Sequence, residues 1–253
     1  MNYGSNYIDR IGNETHFIKA NIEKVLRLLD ILTFIDNELD PKHETLVLKG
    51  GTAINLVYTS LSRLSVDIDL DYIGSLDKEK TNQDRISIME ALDDYMISEG
   101  YSISSKSRES AILTSRSYAY IRSSNSNDII KLDVNFIDRI HVYPEINKSI
   151  EYFDKKLTIK VPAGEELFAM KISALLNRSK IRDLYDTNSL KQHISVLNAD
   201  KIRKLVVFYL SLDCMFTINE QLFDGIKAIS QERVKKELYP VISTKETFDL
   251  EKN

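Results

Sequence analysis

The sequence predicts an α+β fold, mixed in its first part and nearly all helical after Pro162. Three observations predict it. Alternating runs at 66–72 and 130–136 have the period of two that strands require, 45–48 is a short apolar strand, and helical spacing lies around them. The stretch 101–161 is rich in β-branched and aromatic residues and holds a polar hairpin signal, Ser123–Asn127. From Pro162 onward the chain shifts to helix formers, so 1–161 and 162–253 are expected as two domains.

Bulk properties narrow the function classes. The 253 residues suffice for a real core, and 43% hydrophobic with 28% charged content is ordinary for a soluble globular protein. No apolar run approaches the ~20 residues that span a bilayer, so no membrane role is expected. The N-terminus lacks a basic region followed by an apolar one, as a secretory signal would require. One cysteine, Cys214, excludes an internal disulfide and argues for a reducing, cytoplasmic compartment. Its apolar surroundings, LVVFYLSLDCMF, predict a buried thiol. Net charge is −4, so any nucleic-acid contact must be local rather than a general basic coat.

Each element has its own warrant. Residues 14–39 place Ile18, Ile22, Val25, Leu29, Leu32 and Leu39 on one face of a long helix that Asp40-Pro41 ends. Thr45–Leu48 reads as a strand, Lys49–Thr52 as a glycine turn, and Ala53–Tyr58 as two helical turns. Lys78–Glu99 reads as a helix with Ile88, Leu92 and Tyr95 inward. Tyr101–Ser107 and Ala111–Arg122 read as antiparallel strands. Residues 163–178 form a helix with Leu167, Met170, Ala174 and Leu175 toward the core, and Asp200–Phe216 form an apolar one. A further helix is expected over 219–238, with the polar last fifteen residues loosely held.

Two stretches carry chemistry. Gly50 and Gly51 tolerate close backbone approach and positive φ, and the helix after them offers uncapped N–H groups and a positive dipole end to phosphate. By itself a Gly-Gly turn is also a plain turn. Fifteen residues on, Val66–Tyr72 alternates: Val66, Ile68 and Leu70 face the core, and Asp67, Asp69 and Asp71 share the other face. Same-face carboxylates about 7 Å apart repel unless a cation lies among them, and Mg²⁺ prefers such oxygens. A solvated acidic edge strand is the plain alternative. Asp67 and Asp69 are the metal-ligand candidates, with Asp71 past the site. The strand IIKLDVNF supplies Asp133, which next to them would complete a three-carboxylate set. In KISALLNRSKIRDLYD, Lys171 and Arg178 lie on one helix face, Arg182 follows, and Asp183 and Asp186 are three apart. A solvated face with an Arg182–Asp186 ion pair also accounts for that cluster.

The combination KGGTAINLVY…RLSVDIDL, then KLDVNF, then K-x6-R-x3-RDLYD, resembles the AbiEii family of nucleotidyltransferase-like proteins, which includes abortive-infection and MenT-type toxins. The match covers about a quarter of the chain, and its first segment also fits the wider polymerase-β-like superfamily. Thr52 stands where that superfamily often has serine. The resemblance implies a nucleotidyltransferase-like mixed β-sheet flanked by helices, then a helical C-terminal part. It implies a bacterial toxin with a cognate antitoxin, moving a nucleotide from an NTP to an acceptor hydroxyl, with the tRNA 3′ end as acceptor in MenT-type relatives. On that reading Asp67, Asp69 and Asp133 hold Mg²⁺, and Asp133 helps activate the acceptor. Gly50, Gly51 and Thr52 bind phosphate oxygens, and Lys171 neutralises the triphosphate. Arg63 reaches phosphate or pairs with an aspartate. Arg178 and Arg182 contact phosphate or belong to a scaffold with Asp183 and Asp186, and Asp186 is either scaffold or catalytic. An aminoglycoside-type nucleotidyltransferase and a non-catalytic nucleotide-binding module are the competing classes.

Overall fold

The computed structural model describes residues 3–110, 113–194, 198–212 and 219–250. Cys214, with the expected end of the apolar helix, lies outside them. Two helices open the chain, α1 (Ser5–Thr15) and α2 (Lys19–Phe34), and α2 runs on into a wide π turn, Ile35–Leu39. The single helix expected over 14–39 is therefore broken. His16 takes a left-handed φ of 60°, and the extended Ile18 that caps α2 is left exposed. The break is tied from a distance, because the His16 carbonyl accepts from the Thr244 N–H. Ile22, Val25, Leu29 and Leu32 are buried as their spacing requires.

The sheet follows. Its strands are β1 (Leu46–Lys49), β2 (Asp67–Tyr72), β3 (Ser102–Ile103), β4 (Arg108–Glu109), β5 (Leu113–Ile121) and β6 (Asn127–Asn135). The order is β1-β2-β6-β5-β3, with β4 also on β5. β2 pairs parallel with β6, whereas β1 with β2 and β5 with β6 are antiparallel. Parallel neighbours need a long crossover, and here it contains helix α4 (Lys78–Ser98). Ile68, Leu70, Leu132 and Val134 face the core, so the alternating aspartates lie on the opposite face of the sheet. A separate hairpin, β7 (Ile146–Tyr152) and β8 (Lys155–Val161), completes the β structure.

Three helices close over the aspartate-bearing side: α5 (Gly164–Arg178), α6 (Ile181–His193) and α7 (Ala199–Leu212). Leu167, Phe168, Leu190 and Ile202 join the same apolar core as the sheet. Leu167 and Leu175 are buried as expected, Met170 packs against the core while also lining a cavity, and Ala174 lines that cavity. The single helix expected over 219–238 is a series of short turns: Glu220–Phe223, Asp224–Lys227, Gln231–Arg233 and Val234–Leu238. Ser230 interrupts it by capping the Arg233 N–H.

Residues 239–250 are not loosely held. Val241, Ile242 and Phe248 pack with Ile181 and Tyr185 in a second apolar cluster. The Leu64 N–H donates to the Val241 carbonyl, and the Tyr185 hydroxyl donates to Glu246. Three apolar anchors suffice to dock a polar segment, and average polarity conceals them. Phe248→Ala should therefore lower the unfolding free energy by about 3 kcal/mol in urea titration; a loss under about 0.5 kcal/mol would mean a tail that contributes no packing.

Candidate active site

The parallel pairing of β2 with β6 decides where the carboxylates meet. Asp69 lies directly across from Asp133, and Asp67 from Lys131. The Ser115 hydroxyl donates to Asp133 Oδ1 at 2.6 Å, and Lys131 Nζ lies 2.5 Å from Oδ2. Burial pushes the Asp69 carboxyl above the usual aspartate range, and the charges of Asp133 and Asp67 push it further, while Lys49 and Lys171 partly offset this. Burial opposes the charge on Lys131, but its hydrogen bond to Asp133 and the nearby Asp69 and Asp67 outweigh that and hold it up. The region draws in positive charge.

The three aspartates are neighbours, as the sequence suggested, but they do not form a ready-made cage. Among the described residues no group of three or more His, Cys, Asp or Glu side chains is arranged to hold a metal ion. Asp133 already has partners on both oxygens. Asp67 and Asp69 remain, and one or two carboxylates completed by substrate phosphates are what Mg²⁺ ordinarily takes. The donor set fits that ion.

Both glycines are sterically required. Gly50 has φ +67°, and a Cβ there would overlap Asp69 Oδ2. At Gly51 a Cβ would lie 2.5 Å from the Arg63 guanidinium. The helix they open, α3 (Gly50–Ala53), has no side-chain cap and continues as the turn Ile54–Tyr58. Thr52 departs from expectation: its buried hydroxyl donates to the Asp67 carbonyl at 2.5 Å, which fixes the start of β2.

Behind the turn lies a buried ionic lattice. Arg63 grips Asp186 with Nε at 2.6 Å and Nη2 at 2.7 Å. Lys171 Nζ lies 3.1 Å from Asp186 and 3.0 Å from Asp183, which Arg178 also grips at 2.6 and 2.8 Å. Burial opposes ionisation of Asp186 and Asp183. Arg63 and Lys171 overcome it for the first, and Arg178 and Lys171 for the second, so both carboxyls stay below the usual range. The Arg182–Asp186 pair suggested by i,i+4 spacing does not form, because Asp186 turns inward to Arg63, 123 residues away in sequence. Arg182 lines the carboxylate cavity instead.

Two cavities meet at this wall and share Asp69, Lys171 and Arg178. One, of about 500 Å³, lies between Lys49, Gly50, Met170, Ala174 and Tyr209 and is partly apolar. The other, of about 310 Å³, is polar and is reached past Asp67, Asp133, Lys180 and Arg182. Lys49, Lys180 and Tyr209 were not singled out in the sequence. Adjacency to Gly50 was the one available signal for Lys49. Lys180 and Tyr209 carried none.

The family model "Nucleotidyl transferase AbiEii toxin, Type IV TA system" matches residues 34–249. The chain belongs to the AbiEii family. It is a nucleotidyltransferase, and its family pairs toxins with antitoxins. Among solved structures, the MenT4 nucleotidyltransferase toxin Rv2826c from Mycobacterium tuberculosis H37Rv aligns with TM-score 0.70 at 18% identity, over 91% of this chain and 80% of that one. A nucleotidyltransferase from H. pylori, described as putative in its own name, aligns with TM-score 0.58 at 17% identity, over 93% and 90%. JHP933 from Helicobacter pylori aligns with TM-score 0.51 at 19% identity, over 87% and 94%. These similarities establish the fold, a mixed sheet flanked by helices. A search of curated proteins finds no match.

Two predictions follow from the electrostatics of this AbiEii member. Asp69 has a folded-state pKa above its unfolded value, so its ionisation favours unfolding as pH rises through that range. Asp69→Asn should raise Tm in chelator at neutral pH, as read by scanning fluorimetry, and the gain should shrink as the pH falls toward about 4. A lower Tm at neutral pH would contradict the repulsion. Asp186→Ala strands Arg63 and Lys171 in the interior and should cost about 3 kcal/mol or more in urea titration; an unchanged midpoint would remove its scaffold role.

Proposed function

We propose that this AbiEii member is a Mg²⁺-dependent toxin that transfers a nucleotide from an NTP to the 3′ hydroxyl of tRNA in the cytoplasm. One observation carries the reading of the acceptor. Lys180 and Arg182 stand beside Asp67 and Asp133 on the polar cavity, and neither has an ion-pair partner among the described residues. Unpaired cations at the entrance favour a polyanionic acceptor and disfavour a polycationic aminoglycoside. They also supply the local basic contact that an acidic chain needs.

Asp67 and Asp69 would hold Mg²⁺, which when bound neutralises charge on the triphosphate and the departing oxygen. The chain's own residues do the rest. The uncapped N–H groups at Gly50 and Gly51 receive phosphate oxygens. Lys171, fixed by Asp183 and Asp186, presents its charge at the junction of the two cavities, and Arg178 lines both. Asp133 takes the proton of the acceptor hydroxyl, with its carboxylate oriented by Ser115 and Lys131. The acceptor oxygen then bonds to the α-phosphorus, the bond from that phosphorus to the α,β-bridging oxygen breaks, and pyrophosphate leaves. Positioning and charge neutralisation supply the rate. Arg63, Asp186 and Thr52 are assigned to support, since each is fully engaged within the protein. The partly apolar cavity takes the nucleoside.

Incubation with each labelled NTP, Mg²⁺ and either total tRNA or an aminoglycoside tests this. Label should pass to the tRNA 3′ end and be lost in Asp69→Ala. Arg182→Glu should cut tRNA labelling by about tenfold or more, with stronger dependence on salt. Label on the aminoglycoside, or on an antitoxin protein, would replace the acceptor. Failure to bind any NTP with Mg²⁺ would favour a non-catalytic binding module.

A further inference from the structure

Lys49 precedes the glycine turn and lies directly across the antiparallel β1–β2 pair from Asp69. Directly opposed residues share a face, and so do Asp69 and Asp71 two positions apart. Lys49 is therefore within reach of either carboxylate. The nearer one in register is Asp69, which sits among repelling charges. Yet Lys49 Nζ lies 2.5 Å from Asp71 Oδ1. Asp71 is completely buried, and a buried carboxylate requires charged and hydrogen-bonded partners. Asn135 Nδ2 donates to it at 2.9 Å, and His141 Nε2 lies 3.3 Å from its other oxygen. His141 is braced in turn by Glu145 at 2.8 Å.

This arrangement holds the ammonium off Asp69 and leaves Asp69 open to the cavity. Lys49 itself stays 26% exposed and lines that cavity beside Gly50 and Asp69. The pattern repeats that of Lys171, which lines the same cavity and is tethered by Asp183 and Asp186. With Arg178, which Asp183 also tethers, three held cations thus line the cavities beside Asp69. Pyrophosphate leaves with three to four negative charges, and Lys171 already shares its charge between two carboxylates.

We propose that Lys49 is a further substrate-binding cation that receives the leaving pyrophosphate, with Asp71 and His141 as the positioning residues that keep it off Asp69. The proposal rests on the nucleotidyl-transfer reading above. The test uses the full chain, with Mg²⁺·pyrophosphate titrated by calorimetry and Mn²⁺ alone by electron paramagnetic resonance. Lys49→Met should weaken pyrophosphate binding about tenfold, the effect of one charge-assisted hydrogen bond, and leave Mn²⁺ affinity within about twofold. Lys49→Arg should recover most of the pyrophosphate affinity. Asp71→Asn should weaken Mn²⁺ binding, because the freed Lys49 turns to Asp69, and adding Lys49→Met to it should restore that binding. Pyrophosphate affinity unchanged in Lys49→Met would overturn the proposal, even if Asp71→Asn failed to fold. Absence of pyrophosphate binding by the parent protein would overturn the nucleotidyl-transfer reading as well.

Discussion

The buried salt bridge between Arg63 and Asp186 is the constraint on which the rest of the site depends. Arg63 lies under the glycine turn, and Asp186 lies in a helix beyond Pro162. Through Asp186 the pair reaches Lys171, and through Lys171 it reaches Asp183 and Arg178. Breaking a buried pair costs about 3–5 kcal/mol because the survivor is left uncompensated, a large share of the roughly 5–15 kcal/mol that stabilises a typical domain. The lattice therefore fastens the helical part to the sheet. It also aims Lys171 at the wall where the two cavities meet. Stability and site geometry rest on the same atoms.

The carboxylate face works in the opposite sense. Asp67, Asp69 and Asp133 are held together by the register of β2 and β6, and burial with mutual repulsion makes Asp69 costly to ionise. The fold tolerates this by placing cations around the group without seating one on it. Lys131 goes to Asp133, Lys49 to Asp71, and Lys171 to Asp183 and Asp186. An uncompensated carboxylate is a poor contributor to stability and a good receptor for a hard cation.

Much of the architecture was legible because it is local. Period-two alternation placed β2 and β6, and period-three-and-four spacing placed α2, α4 and α5. Several misreadings were failures of local rules against distant partners. The helix expected over 14–39 breaks at His16, whose carbonyl is taken by Thr244. The expected Arg182–Asp186 pair gives way to Arg63, because a guanidinium buried beside a carboxylate outcompetes a half-exposed neighbour on the same helix. The polar C-terminal segment docks through Val241, Ile242 and Phe248, three apolar residues that its mean polarity hides.

The sequence alone determined which residue types could serve a metal–phosphate site, because strand alternation puts Asp67 and Asp69 on one face and adjacent glycines allow close backbone approach. It also carried the motifs by which the family is recognised. Tertiary structure decided the pairing of charges: that Asp133 lies across from Asp69, that Asp186 belongs to Arg63, that Lys49 leans on Asp71, and that Lys180 and Arg182 are left over at the entrance. The reason is physical. A side chain's face is set by backbone period within a few residues, whereas an ion pair is set by burial and distance among residues that can be more than a hundred positions apart.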